Sequence, residues 1–178
     1  MSFPILTTER LVLTPVAVSD FDDVLALWRD PDFVSAIMDR GPMSEEEVWF
    51  RLLRDLGHWQ ALGHGNWAMR MKGDGAYVGS VGVLHYRRDC TPPIDAPELG
   101  WGVGVAFQGL GLAREGLDAV LAWTDTELKA PRTVCLISPG NGPSLKLAGR
   151  VGYRPYAQAT YHDQPSILLE RYGPVLLP

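Results

Sequence analysis

In RLVLTPV the apolar Leu11 and Leu13 alternate with Val12 and Thr14, a period of two that predicts a first strand closed by Pro15. The period then lengthens. Ser19 stands before Asp20, Asp22 and Asp23, and Phe21, Val24, Leu25 and Trp28 share one helical face, so a helix capped by Ser19 is expected up to about Asp30, where Pro31 stops it. In SEEE, Ser44 and Glu47 have the spacing of a capping box, and Val48, Leu52 and Leu56 recur at helical intervals toward Gly63. NWAMRM and AYVGSVGVLHY return to alternation around KGDG, which predicts a hairpin with Asp74 and Gly75 at its tip. After the proline-rich RRDCTPPIDAP, ELGWGVGV reads as a further strand. Leu117, Leu121, Thr124 and Leu128 then mark one stripe of a helix from about Gly111 to Lys129. TVCLIS is a short buried strand, PGNGPSLKLAGRVG a turn and helix, and YRPYA with SILLERY a closing strand pair.

The resulting order, βααβββαβαββ, places one parallel crossover in an otherwise antiparallel arrangement. It predicts a mixed, mostly antiparallel sheet flanked by helices, class α+β. No repeat, low-complexity tract or linker divides the chain, and 178 residues suit a single domain over 1–178. Hydrophobic residues make up 46% of it, yet no apolar run approaches the roughly 20 residues of a bilayer span. MSFPILTTER lacks the basic-then-apolar pattern of an export signal, so a cytoplasmic protein without a membrane partner is expected. A net charge of -5, with no basic stripe carrying interleaved aromatics, argues against nucleic-acid binding. Cys90 and Cys135 have neither CxxC spacing nor a histidine cluster, which predicts two reduced thiols and no metal site.

Candidate chemistry enters at VAFQGLGLAREGL, Val105 to Leu117, where a polar residue and two glycines separate an apolar run from a strong helix former. The first amides of a helix lack intrahelical partners, and the macrodipole makes that end attractive to anions. Gly109 and Gly111 carry no Cβ to hold a diphosphate away from the backbone, and Gln108 can brace the turn through its amide. The same pattern also describes a glycine-rich strand-to-helix turn with no ligand. Two other phosphate motifs fail on spelling. Leu110 and Gly111 stand where a P-loop needs Lys and Ser or Thr, and GLGLAR does not complete GxGxxG.

QGLGLA matches the (Q/R)xxGx(G/A) acyl-CoA loop of the GCN5-related N-acetyltransferase (GNAT) superfamily. With TTERLVLTPVAVSDFDDV before it and NGPSLKLAGRVGY after it, the chain resembles that superfamily almost end to end. It is most similar to the ribosomal-protein-alanine N-acetyltransferase branch of RimJ/RimL type. The resemblance implies a splayed sheet in which the strand ending at Val103, Gly104 and Val105 parts from TVCLIS, with the pantetheine of acetyl-CoA in the gap. It implies that the Val103 backbone amide bonds the thioester carbonyl, and that Gln108, Gly109, Leu110, Gly111, Leu112 and Ala113 hold the pyrophosphate. Asn141 would contact pantetheine, Ser144 would protonate the departing thiolate, and Arg114, Lys146 and Arg150 would offer charge to the nucleotide phosphates. Read from the residues alone, Asn141 and Gly142 form a turn, Ser144 caps a helix, and the three cations lie on solvated faces. Leu147 is followed by Ala148 where other branches carry a tyrosine general acid, which leaves Ser144 or a water for that role.

The acceptor amine must attack unprotonated, so a base is useful. Glu98 shares a strand face with Gly100 and Gly102, while Leu99, Trp101 and Val103 take the other. That makes it a lone carboxylate facing open space, able to take a proton through water, or else a solvent-facing or ion-paired strand residue. His85 and His162 fall at a strand end and in a turn, outside any triad pattern, and Trp28, Trp49, Trp59, Trp67 and Trp123 fall mainly on core positions. Trp residues on the first two helices can still line an acceptor pocket. With no obvious covalent relay at Cys90 or Cys135, the reading is an acetyl-CoA-dependent N-acetyltransferase using direct attack in a ternary complex. Its acceptor is either a protein N-terminal α-amine or a small-molecule amine. The alternative is a non-catalytic acyl-CoA-binding sensor or interaction module. The free edge of the C-terminal hairpin is compatible with a homodimer.

Overall fold

In the computed structural model, which describes residues 3–37 and 41–174, the alternating segments become strands. They are β1 (Leu6–Thr7), β2 (Leu11–Pro15), β3 (Asn66–Met71), β4 (Tyr77–Leu84), β5 (Cys90–Thr91), β6 (Glu98–Val103), β7 (Arg132–Ile137), β8 (Arg154–Tyr161) and β9 (Gln164–Tyr172). They join in one open sheet ordered β1-β2-β3-β4-β6-β7-β9-β8-β5. Every neighbouring pair is antiparallel except β6 with β7, which the crossover makes parallel. The α+β class and the mixed, mostly antiparallel sheet are therefore as expected. The two-residue strands β1 and β5 are too short to show a period and left no signal in the sequence.

Five α-helices flank the sheet among the described residues: α1 (Phe21–Arg29), α2 (Pro31–Ile37), α3 (Glu45–Leu62), α4 (Leu112–Trp123) and α5 (Gly142–Arg150). The capping box before α3 forms in full, since Ser44 Oγ accepts from the Glu47 N–H and the Glu47 carboxylate accepts from the Ser44 N–H. Gly63 ends the helix in the left-handed region at φ +73°. Ser19, by contrast, does not cap α1. It lies inside a short 3-10 turn, Val18–Asp20, and Asp20 takes the position before α1 without a side-chain bond to that helix, its carboxylate accepting from the Ala17 N–H at 2.8 Å and from Arg70 at 2.8 Å. Nor does Pro31 simply stop a helix. Its fixed φ suits a first helical position, and it opens α2, which the sequence reading did not contain.

Side-chain parity divides the sheet into two faces. Trp67, Met69 and Val81 point toward α4, whose Gly116 sits directly over Met69, while Asn66 and Arg70 point toward α3 and α1. The main core contains Leu11, Leu13, Trp59, Trp67, Leu99, Leu117 and Val120. Trp59, Trp67 and Trp123 stack edge to face across it at 4.7 and 5.2 Å, joining α3, β3 and α4. A second, smaller core forms among Val24, Leu27, Trp28, Phe33, Val34 and Val48, within α1, α2 and α3. No helix is long and apolar enough to cross a membrane among the described residues.

Two substitutions test this packing. A Cβ at Gly116 would lie 2.5 Å from Met69 Sδ, so Gly116→Val is expected to lower stability by roughly 1–3 kcal/mol in urea unfolding. Ser44→Ala, which removes one arm of the capping box, should cost about 1 kcal/mol by the same measurement.

Candidate active site

The β6–β7 pair is the irregular place in the sheet. Its register contains one position, Glu98 opposite Val134, beside the bond from the Val134 N–H to the Pro97 carbonyl. On its other side β6 pairs with β4 along its whole length, and the Gly104 N–H donates to the Val78 carbonyl. In an antiparallel pair this parity turns the odd-numbered N–H and C=O groups of β6 away from β4. The N–H and C=O of Trp101 and the N–H of Val103 therefore face the widening gap, while Gln108 Nε2 donates to the Val103 carbonyl at 3.2 Å. The sequence placed a brace at Gln108, and this bond supplies it.

Beyond Val103 a 3-10 turn, Val105–Phe107, leads to Gly109 at φ +76° and Gly111 at φ +80°. Both angles lie where a Cβ is costly, and Gly111 is the residue before the first turn of α4. No side chain caps that helix, so its leading amides keep their donors free. The loop is held from below. Arg10 Nη1 donates to the Leu110 carbonyl at 3.0 Å, and Arg10 pairs at 2.8 Å with Glu115, which also accepts from Thr8. A cradle of bare amides with two left-handed glycines fits a diphosphate, which needs close backbone approach more than it needs side chains.

A cleft opens at the gap, bringing together Glu98, Gly100 and Gly102 of β6, Cys135 to Ile137 of β7 with Ser138 just beyond it, and Asn141 and Ser144 at the start of α5. Asn141 is the helix cap, its Oδ1 accepting from the Ser144 N–H at 3.1 Å. This corrects the reading of Ser144 as the cap, because Ser144 sits two residues inside the helix. The loop residues Gln108 to Arg114 lie beyond the end of β6, outside this lining. Arg114 is bound to Asp118 one turn along α4, and Lys146 and Arg150 are exposed on α5.

Glu98 differs most from expectation. It is not a lone carboxylate in open space: it is 6% exposed, and its Oε2 accepts from Arg88 Nε at 2.5 Å. Arg88 also donates to the Tyr161 hydroxyl. Burial lowers the Arg88 pKa, and the Glu98 charge beside it more than reverses this, so the net direction is upward. The glycine face is partly covered too, with Phe33 of α2 seated over Gly102 and Leu84 beside Gly100. Neither Arg88, in an irregular proline-rich segment, nor Phe33, in an unrecognised helix, carried a sequence signal linking it to β6.

The far wall of the cleft is formed by Trp28, Phe33, Ile37 and Arg51. Trp28 is both a core residue and a lining residue, as the reading of the first helices allowed. Arg51 was missed. The buried stripe of α3 runs through Val48, Leu52, Asp55, His58 and Trp59, so it turns toward Asp55 where Leu56 was expected, and this rotation brings Arg51 to the cleft. Asp55 is buried because it is saturated, accepting from Arg54, Tyr86 and Asn66. His85 and His162 lie outside this cleft.

Comparison with known proteins agrees with this architecture. Residues 10–154 match the acetyltransferase (GNAT) domain model. A GnaT-family acetyltransferase from Bordetella pertussis is 34% identical, with a TM-score of 0.83 over 94% of this chain and 99% of that one. The acetyltransferase from Agrobacterium tumefaciens str. C58 is 28% identical, with a TM-score of 0.81 over 97% and 96%. RimL, the ribosomal L7/L12 alpha-N-protein acetyltransferase solved in complex with coenzyme A, shares the fold at 15% identity, with a TM-score of 0.77 over 96% and 98%.

Burial, with Glu98 nearby, pushes the Cys135 thiol up, and burial pushes the Cys90 thiol up as well. A raised thiol pKa means less thiolate at neutral pH, hence less nucleophile. Both cysteines should therefore resist iodoacetamide in the folded protein at pH 7.5 and react in urea, as intact-mass analysis would show.

Proposed function

Because this chain belongs to the GNAT acetyltransferase family, we propose that it transfers the acetyl group of acetyl-CoA directly to a primary amine held in the cleft between β6 and the α1–α3 helices. The observation that carries this reading is the open side of β6, whose unpaired backbone groups lead straight to the uncapped start of α4. Acetyl-CoA supplies an activated thioester, and the chain's own groups place it and manage charge around it. The Trp101 and Val103 backbone groups take pantetheine as a further strand would, and Asn141 Nδ2 can add a donor, since its Oδ1 is engaged in the cap. Val103, Gly104 and Val105 direct the chain into the loop. Gln108, Gly109, Leu110, Gly111, Leu112 and Ala113 receive the pyrophosphate, with charge from Arg114 and Lys146 at their exposed positions.

The Val103 N–H is the donor for the thioester oxygen, a contact that strengthens as negative charge develops there. As the amine nitrogen bonds to the acetyl carbon, the carbon–sulfur bond breaks, and one proton must leave nitrogen while another reaches sulfur. Glu98 is the acceptor for the first, through water. The Arg88 bond occupies its Oε2, and Oε1 accepts no hydrogen bond among the described residues. Ser144 is the donor for the second, on the helix that faces the gap in the position where no tyrosine follows Leu147. The acceptor is a protein N-terminal amine or a small amine. RimL's action on a ribosomal protein supports the first class, and the enclosing wall of Trp28, Phe33 and Ile37 supports the second.

Titration calorimetry tests the loop. The parent should bind acetyl-CoA, and Gly111→Trp, which fills the cradle, should lose that binding while keeping its circular dichroism spectrum. No binding by the parent would end the proposal. Glu98→Gln should lower turnover about a hundredfold in a thiol-release assay while leaving acetyl-CoA affinity within a factor of about two. Unchanged turnover would remove Glu98 from the mechanism.

A further inference from the structure

Arg51 is a charged group in the cleft that makes no ion pair among the described residues. It stacks 3.9 Å from the centre of the Trp28 ring, and no carboxylate oxygen of the described residues lies within 4.0 Å of it. Asp55, one turn along α3, raises the Arg51 pKa through its charge, yet it and Glu98, which lines the same cleft, are both committed to other partners. Asp55 holds Arg54, Tyr86 and Asn66, and Glu98 holds Arg88. Burial, with Arg54 nearby, pushes the Arg51 pKa down to about 10, which leaves it charged at neutral pH. A cation withdrawn from bulk water without a partner is a costly arrangement, and it becomes favourable when a ligand brings the missing anion. Among the described lining residues Arg88 and Glu98 neutralise each other, and Arg51 leaves the net sign positive. That sign opposes a polyamine or any acceptor carrying a second cation.

We propose that Arg51 recognises a carboxylate on the acceptor, so that the amine acetylated here carries an acidic group within the same small molecule or peptide end. The inference rests on acyl transfer taking place in this cleft. The planar guanidinium fork matches a carboxylate through two parallel hydrogen bonds, and its stacking on Trp28 holds that fork in one orientation. Trp28, Phe33 and Ile37 beside it favour an apolar group next to the carboxylate. Two sources share this chemistry, a free α-amino acid and a peptide whose acidic side chain lies close to its N-terminus.

The test uses matched acceptors in thiol-release kinetics: L-leucine, L-methionine and L-phenylalanine against their primary amides, and Ala-Asp-Ala-amide against Ala-Asn-Ala-amide. The parent should prefer the carboxylate member of at least one pair by about tenfold or more in kcat/KM, and the responding pair identifies the source. Arg51→Met should remove that preference through a raised KM for the carboxylate member, and Arg51→Lys should restore part of it. A second readout needs no turnover: calorimetric titration of N-acetyl-L-leucine and N-acetyl-L-leucinamide into the CoA-loaded protein, with and without Arg51. Melting temperature checks that Arg51→Met remains folded. Equal treatment of acid and amide by the parent in every pair, equal losses for both members in Arg51→Met, or, where the free amino acids are the responding pairs, binding of neither acetylated compound overturns the assignment. Arg51-dependent binding of the acid with no amine turned over leaves the recognition intact and removes the transfer reading. Turnover without any carboxylate preference does the reverse.

Discussion

A backbone hydrogen-bonding group inside a protein must find a partner, and β6 is a strand given partners along its whole length on one side and at a single position on the other. Its parallel neighbour β7 touches it at Glu98 and Val134 and then departs, leaving the N–H and C=O of Trp101 and the N–H of Val103 without a protein partner among the described residues. The surrounding structure is arranged around that opening. Gln108 reaches back to the Val103 carbonyl, α4 begins without a cap where β6 ends, and α5 begins with Asn141 on the opposite lip. An open row of strand groups invites pairing with any extended chain, and confining it to a narrow gap between two strands admits only something slender.

Charge in the cleft follows from the same opening. At its apex, where the strands still touch, Arg88 and Glu98 form a shielded pair with Tyr161 as a third member. A buried pair of this kind adds little net stability, but loss of either partner would strand the other, so it keeps both groups where they are. Farther out, Arg51 lies against Trp28 with no ion-pair partner among the described residues, and the described charged lining, Arg51, Arg88 and Glu98, is net positive in a chain of net charge -5. Composition reports the average surface, and a cleft is a sample too small to follow it.

Much of the fold was legible because its long elements obey their periods. The hairpin of β3 and β4, the capping box before α3, the Leu117 and Leu121 half of the α4 stripe and the closing pair of β8 and β9 stand where the hydrophobic pattern put them. The other half of that stripe, Thr124 and Leu128, lies past the end of α4 on a π-helical turn, Thr124–Leu128. What escaped was short or depended on distant partners. Strands of two residues show no period, α2 begins at a proline that also reads as a stop, and Ser19 falls inside a 3-10 turn beside Asp20, whose carboxylate is held by Arg70, 50 residues away. The site divides in the same way. Gly109, Gly111, Asn141 and Gln108 act through local backbone geometry and could be read from the order of residues. The partners of Glu98 could not, since Arg88 reaches it from an irregular loop and Phe33 covers its strand from another layer. Asp55, which the expected stripe of Val48, Leu52 and Leu56 left out, is buried because Asn66 and Tyr86 supply its bonds.

The small second core of α1, α2 and α3 bears on how such a chain diversifies. Trp28 and Phe33 belong to it and also face the cleft, whereas the loop before α4 and the lips of β6 and β7 rest on the main core. Substitutions that remodel the acceptor wall are thus absorbed mostly within three helices. The thioester side, anchored elsewhere, keeps its shape while the other half drifts. A lineage built on this plan can change which amine it takes by altering one module, without passing through ancestors that have lost their grip on the acyl donor.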